Sequence, residues 1–165
     1  MTPRFLAAVL LLAALAVTSA PFSTARAEMP AALEGWQITK TVHGYADLVS
    51  RLEQAIKTNK MGLVARASAT VGAKQMLDKD IPGNTVIGVY RPDFAVRMLE
   101  ASTAAGIEAP IRFYVTENAD GSATLSYKTP STVFAPYADG GQALKDLAAE
   151  LDAIFARIAA DAVGG

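Results

Sequence analysis

Two runs of alternating apolar and polar residues, joined by a short Asp-Gly turn, constrain the fold of this chain more than any other feature. The runs are Ile111–Glu117 and Ala123–Lys128, and Asp120 and Gly121 lie between them. An Asp-Gly pair between alternating segments is typical of an antiparallel β-hairpin, because these residue types tolerate the positive backbone angles of a tight turn. The sequence therefore predicts an antiparallel sheet built around this hairpin.

The same alternation gives the hairpin two chemically different faces, because successive side chains of a strand point to opposite sides. One face is apolar, with Ile111, Phe113 and Val115 opposite Leu125. The other face is polar and carries a larger set: Arg112, Tyr114, Thr116, Ser126 and Lys128. The apolar face is expected to pack against helices. The polar face is expected to stay open or to be buried against another molecule.

The remaining chain predicts three more strands, two long amphipathic helices and two short helices in the connections. The predicted strands are Trp36–Val42, Leu63–Ala69 and Thr85–Arg91, the long helices are Tyr45–Asn59 and one that opens at Asp139-Gly140, and the short ones are Val71–Lys79 and Pro92–Ala104. The order is therefore strand, helix, four strands, helix. Consecutive strands favour an α+β fold in which both long helices cover one face of an antiparallel sheet.

The first 27 residues are typical of a secretory signal peptide. Arg4 precedes the apolar run Phe5–Val17, and Ala25-Arg26-Ala27 has the small-x-small pattern of a cleavage site. A membrane anchor is the alternative, but a spanning helix needs about 20 apolar residues, and this run has 13. We therefore expect cleavage after Ala27, no stable membrane anchor afterwards, a single domain over residues 28–165, and a periplasmic or secreted protein.

Charge and cysteine content exclude several classes of function. Once Arg4 and Arg26 are removed with the leader, 16 acidic residues face 13 basic ones. An acidic domain is a poor nucleic-acid binder, since binding to phosphates needs a basic surface. The chain has no cysteine, which excludes disulfides, thiolate catalysis and sulfur-ligated zinc.

Four segments resemble, in their order and spacing, the family called domain of unknown function 302. They are Tyr45–Gly62, Gly83–Ser102, Ala105–Glu117 and Asp120–Ser131, within a match over about Thr39–Tyr137. The resemblance implies a strand–helix–four-strand–helix fold, similar in outline to the TATA-binding-protein fold, and pairing into homodimers. It implies neither DNA binding nor an established activity, and it supplies no catalytic residues, since a fold does not carry a function.

Many members of that family have a histidine shortly after the second strand. In this chain the corresponding stretch, Ser68-Ala69-Thr70-Val71, has none. The resemblance therefore transfers no metal or haem site, and no cofactor is expected.

The polar face of the hairpin is the main candidate for ligand binding. Arginine can hold an anion with two parallel hydrogen bonds, and a tyrosine hydroxyl can add a third. The candidate ligand-binding residues are Arg91, Arg97, Arg112, Tyr114 and Lys128, of which the first two come from the end of a strand and the helix after it. The alternative is a solvated or dimer-buried face whose arginines pair with Glu100, Glu108 or Glu117.

Two further residues are weaker candidates for chemistry. His43 is the single histidine of the chain, and it lies between the first strand and the first helix. It could act as a general base, although a polar residue in a connecting turn explains it as well. Glu117, at a strand end, could act as a base if the sheet face were desolvated. Neither residue indicates a metal site, because a stable metal site uses several ligands.

These observations favour an exported, soluble, non-catalytic module. It would be a homodimer that binds a small anionic or amphipathic ligand, or an envelope protein partner, on its sheet face. The alternative is a small periplasmic hydrolase or isomerase that uses His43 or Glu117, which would require a closed pocket around a perturbed titratable group. A third possibility is a structural envelope-stress or assembly factor without a small ligand.

Overall fold

The hairpin predicted from the alternating runs is the centre of the sheet. In the computed structural model, which describes residues 33–164, the runs form β4 (Ile111–Glu117) and β5 (Ser122–Lys128), paired antiparallel. Gly121 has a positive φ of 80° in the turn, a conformation that glycine adopts without a steric cost. The Asp120 carboxylate accepts hydrogen bonds from Lys40 and from Ser122, which lower the pKa of Asp120. The predicted signal peptide lies outside the described residues.

Three more strands complete a five-stranded antiparallel sheet, in the order β1-β5-β4-β3-β2. They are β1 (Trp36–Gly44), β2 (Gly62–Ala67) and β3 (Asn84–Tyr90). The chain's first strand therefore pairs with its last one, and β1 and β2 form the two edges. This order brings residues that are far apart in sequence onto one face of the sheet.

The helices account for most of the remaining chain, and the fold is α+β as predicted. The α-helices are α1 (Tyr45–Thr58), α2 (Ala69–Leu77), α3 (Pro92–Ala101), α4 (Pro130–Phe134) and α5 (Gly141–Val163), and the 3-10 helices are Ala104–Glu108 and Ala138–Gly140. α1 and α5 each bury one apolar side in a core shared with β3, β4 and β5. Burial of these apolar side chains is the main stabilising contribution to the fold.

An aromatic cluster joins the sheet to α5. Phe113 of β4 is fully buried. Its ring stacks on that of Phe155, with 4.7 Å between centroids, and lies 5.0 Å from the ring of Tyr127. Offset and tilted ring pairs of this kind add to the stability gained from burial alone. The face of the sheet that carries Phe113 is therefore the covered face.

Two boundaries differ from the sequence prediction because of helix capping. β2 ends at Ala67, not at Ala69, because the Ser68 hydroxyl caps α2 by accepting a hydrogen bond from the backbone N–H of Val71 at 3.4 Å. α2 accordingly begins two residues before the predicted start. α4 is an additional helix beyond those predicted from the sequence, and it forms because Thr129 caps it and Pro130 is its first residue.

None of the helices within residues 33–164 combines the length and the apolar character needed to cross a membrane.

Candidate functional site

The face of the sheet opposite α1 and α5, called the open face because no long helix within residues 33–164 packs on it, consists of side chains that alternate with those of the core. One row of neighbours crosses all five strands: Ile38, Ser126, Tyr114, Val86 and Ala67. The polar face predicted for the hairpin is thus part of a larger surface. β1, β3 and β2 contribute apolar side chains to it.

The two cations of the hairpin are neighbours on the open face. Phe113 of β4 pairs with Tyr127 of β5, so Arg112 and Lys128, one residue further on each strand, face each other. Directly opposite residues of antiparallel strands have their Cβ atoms about 4.5–5.5 Å apart. Both side chains are exposed. Neither forms an ion pair within residues 33–164.

A cleft of about 690 Å³ lies on this open face. It runs from the start of β4 and the end of β5 towards the start of α2. Apolar atoms make up most of its walls. The residues lining it are Trp36, Ala67, Ser68, Ala69, Asn84, Val86, Glu108, Ile111, Arg112, Tyr114, Ser126, Tyr127, Lys128 and Val133.

Aromatic and acidic groups shape the end of the cleft near the cations. The Lys128 Nζ atom lies 5.9 Å from the centroid of the Trp36 ring, within the range of a cation–π interaction. Glu108 accepts a hydrogen bond of 2.6 Å from the Tyr137 hydroxyl, and this bond raises the pKa of Tyr137. Trp36 therefore supplies an apolar wall beside Lys128, and Glu108 is a carboxylate on the lining of the same cleft.

Ser126 and Thr124 are fully buried polar residues on the open face of β5. The Thr124 hydroxyl donates to the Asn118 side chain at 3.0 Å, and the Ser126 hydroxyl donates to the Tyr114 carbonyl at 3.4 Å. Ser126 lines the cleft together with Tyr114 and Lys128, whereas Thr124 does not line it.

The structure does not bring Arg91 and Arg97 to the open face, which corrects their assignment to the candidate ligand site. Arg91 lies two residues after Val89, so its side chain points to the same side of the sheet as that core residue. Its guanidinium makes two hydrogen bonds to the Asp93 carboxylate, at 2.7 and 2.9 Å. These bonds raise the pKa of Arg91 and lower that of Asp93. Arg97 donates to Glu150 of α5 at 2.8 Å. Both arginines therefore belong to the helical side.

His43 and Glu117 have structural contacts and do not line the cleft. The His43 Nδ1 atom lies 3.1 Å from an Asp47 oxygen, and its Nε2 atom lies 3.3 Å from the Val163 carbonyl oxygen. His43 thus connects α1 to the last turn of α5. Glu117 accepts a 2.7 Å hydrogen bond from the backbone N–H of Gly83, which holds the loop before β3. Within residues 33–164, no three histidine or carboxylate side chains form a group suited to a metal ion.

Four residues of the predicted polar face line the cleft, namely Arg112, Tyr114, Ser126 and Lys128, but its other lining residues were not predicted. Trp36 is the most important omission, since it forms a wall beside Lys128. The alternation in β1 places Trp36 and Ile38 on one face of their strand. The pairing of β1 with β5 was needed to show that this face is the open one.

The fold defines a two-layer α+β domain with helices on one face of an antiparallel sheet and a cleft on the other. The family model described as "Domain of unknown function DUF302" matches residues 38–162, so this chain belongs to that family. A crystal structure of an uncharacterized conserved protein DUF302 from Bacillus stearothermophilus shares the fold, with a TM-score of 0.66 and 20% sequence identity. The match covers 78% of this chain and 96% of that one. No curated protein matches the chain.

Proposed function

We propose that this protein is an exported binding module that holds a small amphipathic anion on the open face of its sheet. The observation that carries the proposal is the pair Arg112 and Lys128, two adjacent cations without acidic partners within the described residues, at the end of a largely apolar cleft.

The electrostatics of this pair favour an anion as the ligand. Like charges directly opposite each other on neighbouring strands repel and destabilise the sheet. A carboxylate or another small anion between Arg112 and Lys128 would neutralise this repulsion. It would also accept charge-assisted hydrogen bonds, which are about twice as strong as neutral ones.

The rest of the cleft favours an apolar body on the same ligand. Trp36, Val86 and Val133 line it together with two alanines. Its volume of about 690 Å³ lies within the roughly 300–1,000 Å³ that is usual for small-molecule sites. Apolar surface covered in this cleft would contribute about 25 cal/mol for each Å² removed from water.

Glu108 favours a ligand with a single negative charge. Its carboxylate lines the same cleft as the two cations. A second anionic group on the ligand near Glu108 would be repelled, and such repulsion is a common source of specificity. The ligand class that fits best is therefore a monoanion with an apolar body.

The structure gives less support to the hydrolase or isomerase alternative. His43 and Glu117 each hold a connection between elements, and neither lines the cleft. We further propose that the protein acts as a homodimer, as its family resemblance suggests, and that it acts outside the cytoplasm. The signal-peptide pattern at its N-terminus supports the latter.

Isothermal titration calorimetry with probes of equal chain length and different charge tests the proposed function. We expect octanoate to bind the purified protein at least tenfold more tightly than octyltrimethylammonium, and to bind more weakly at high salt because exposed charges are screened. Octan-1-ol provides the neutral control and should fall between the two. Absence of octanoate binding, or equal affinity for the anion and the cation, would contradict the proposal.

A further inference from the structure

Helix α2, which begins beside the cleft, exposes its large apolar side chains to an unusual degree. None of its residues is buried. Val71, Met76 and Leu77 are 53%, 83% and 65% exposed. Helices in globular proteins gain most of their stability from packing an apolar side, and Gly72 in the middle of α2 lowers its intrinsic stability further. The large apolar side chains of α2 are therefore not part of the core of the domain.

The start of α2 is nevertheless held firmly against the sheet. The Ser68 hydroxyl donates to the Asn84 carbonyl at 2.7 Å, and the Ala69 N–H donates to the Asn84 side chain at 3.1 Å. The Thr70 hydroxyl donates to the Pro82 carbonyl at 3.0 Å and accepts from the Asn84 N–H at 2.9 Å. These bonds fix the direction in which α2 leaves β2.

That direction makes one side of α2 continuous with the cleft. Ala67, Ser68 and Ala69 all line the cleft. Residues three, four and seven positions apart share one side of a helix, so the side that begins at Ala69 continues through Gly72 and reaches Met76. A Cβ atom placed on Gly72 would meet no atom within 4 Å, so this side is open.

We infer that the ligand is a single-chain anion, such as an alkyl carboxylate, whose chain leaves the cleft past Ala69 and is covered by Met76 and Leu77 of α2. The inference rests on the proposed function, which places the anionic group at Arg112 and Lys128. From β5 the cleft crosses to β2, three strand spacings of about 4.8 Å each. A flexible ligand chain that starts at the cations and crosses the sheet reaches α2, whose exposed apolar side chains can contact it.

Methionine and leucine side chains are well suited to covering the alkyl chain of a ligand. The unbranched methionine side chain adapts its shape to apolar groups of different length. An exposed apolar surface on a soluble domain commonly marks a site of interaction. Contact with the ligand chain would therefore account for the apolar side chains of α2 that the fold does not bury.

A series of carboxylates of increasing length tests the inference by calorimetry on the purified protein. We expect affinity to rise by about fourfold for each added methylene from butanoate to dodecanoate, the value for burial of a methylene group. The variant M76Q/L77Q should bind butanoate as the wild type does and dodecanoate at least tenfold more weakly. Glutamine preserves the helix propensity at both positions. The matched control is V96Q/L99Q, which alters two exposed apolar side chains of α3 and should bind every probe normally.

The outcomes separate this inference from the proposed function. If the wild type binds no carboxylate, the proposed function fails, and the inference fails with it. If the wild type binds butanoate, octanoate and dodecanoate equally, the anion site stands and the chain path along α2 is wrong. Unchanged dodecanoate affinity in M76Q/L77Q would overturn the inference in the same way.

Discussion

Replacement of Phe113 by alanine is expected to lower the free energy of unfolding by about 3–5 kcal/mol, the usual cost of removing a buried phenyl ring. Phe113 is fully buried, stacks on Phe155 and touches Tyr127. Its loss would leave a cavity between the sheet and α5 that the surrounding rings cannot fill without moving. Urea unfolding followed by far-UV circular dichroism measures the change as a lower midpoint with an unchanged slope.

The matched control is Val96→Ala on α3, where the side chain is 55% exposed. Substitutions at such surface positions usually change stability by less than about 0.5 kcal/mol. A loss below about 1 kcal/mol for Phe113→Ala would show that the two layers are not held together by this aromatic cluster.

The second large effect concerns binding. The double variant R112A/K128A is expected to bind octanoate at least a hundredfold more weakly than the wild type, since each lost hydrogen bond to a charged group costs about 1.5–3 kcal/mol. Calorimetric titration under identical salt conditions measures the loss. The matched control, K57A/R157A, removes the same charge from exposed positions of α1 and α5. It should bind octanoate nearly as well as the wild type.

The stability of R112A/K128A distinguishes a binding role from a structural one. Removal of two like charges that face each other should leave the free protein as stable as before, or more stable by up to about 1 kcal/mol. A structural role for either cation would instead lower the melting temperature. An unchanged octanoate affinity in the double variant, or an equal loss in K57A/R157A, would contradict the anion site.

The hairpin shows why part of the site could be predicted from the sequence. Its two strands are joined by a short turn, so the alternation within each strand and the pairing between them follow from local residues. Arg112, Tyr114 and Lys128 could therefore be assigned to one face. Arg91 could not be assigned in this way: only the burial of Ile87 and Val89, which share its parity, shows that Arg91 points towards the helices.

The rest of the site depends on interactions between distant parts of the chain. Trp36 reaches the cleft only because β1 pairs with β5, about 90 residues later. The start of α2 reaches the cleft because Ser68 and Ala69 donate hydrogen bonds to Asn84 at the start of β3. No local pattern encodes either contact. The sequence therefore predicted the cations of the site but not the apolar walls that give it depth.

We propose that the open face, and not the helical side, binds a small amphipathic anion. Titration of octanoate into ¹⁵N-labelled protein, followed by ¹H–¹⁵N correlation spectra, tests this most directly. We expect chemical-shift changes at the amides of Arg112, Tyr114 and Lys128 and at the Trp36 indole, with the exposed side of α5 unaffected. Shift changes confined to the helical side, or no changes at saturating octanoate, would contradict it.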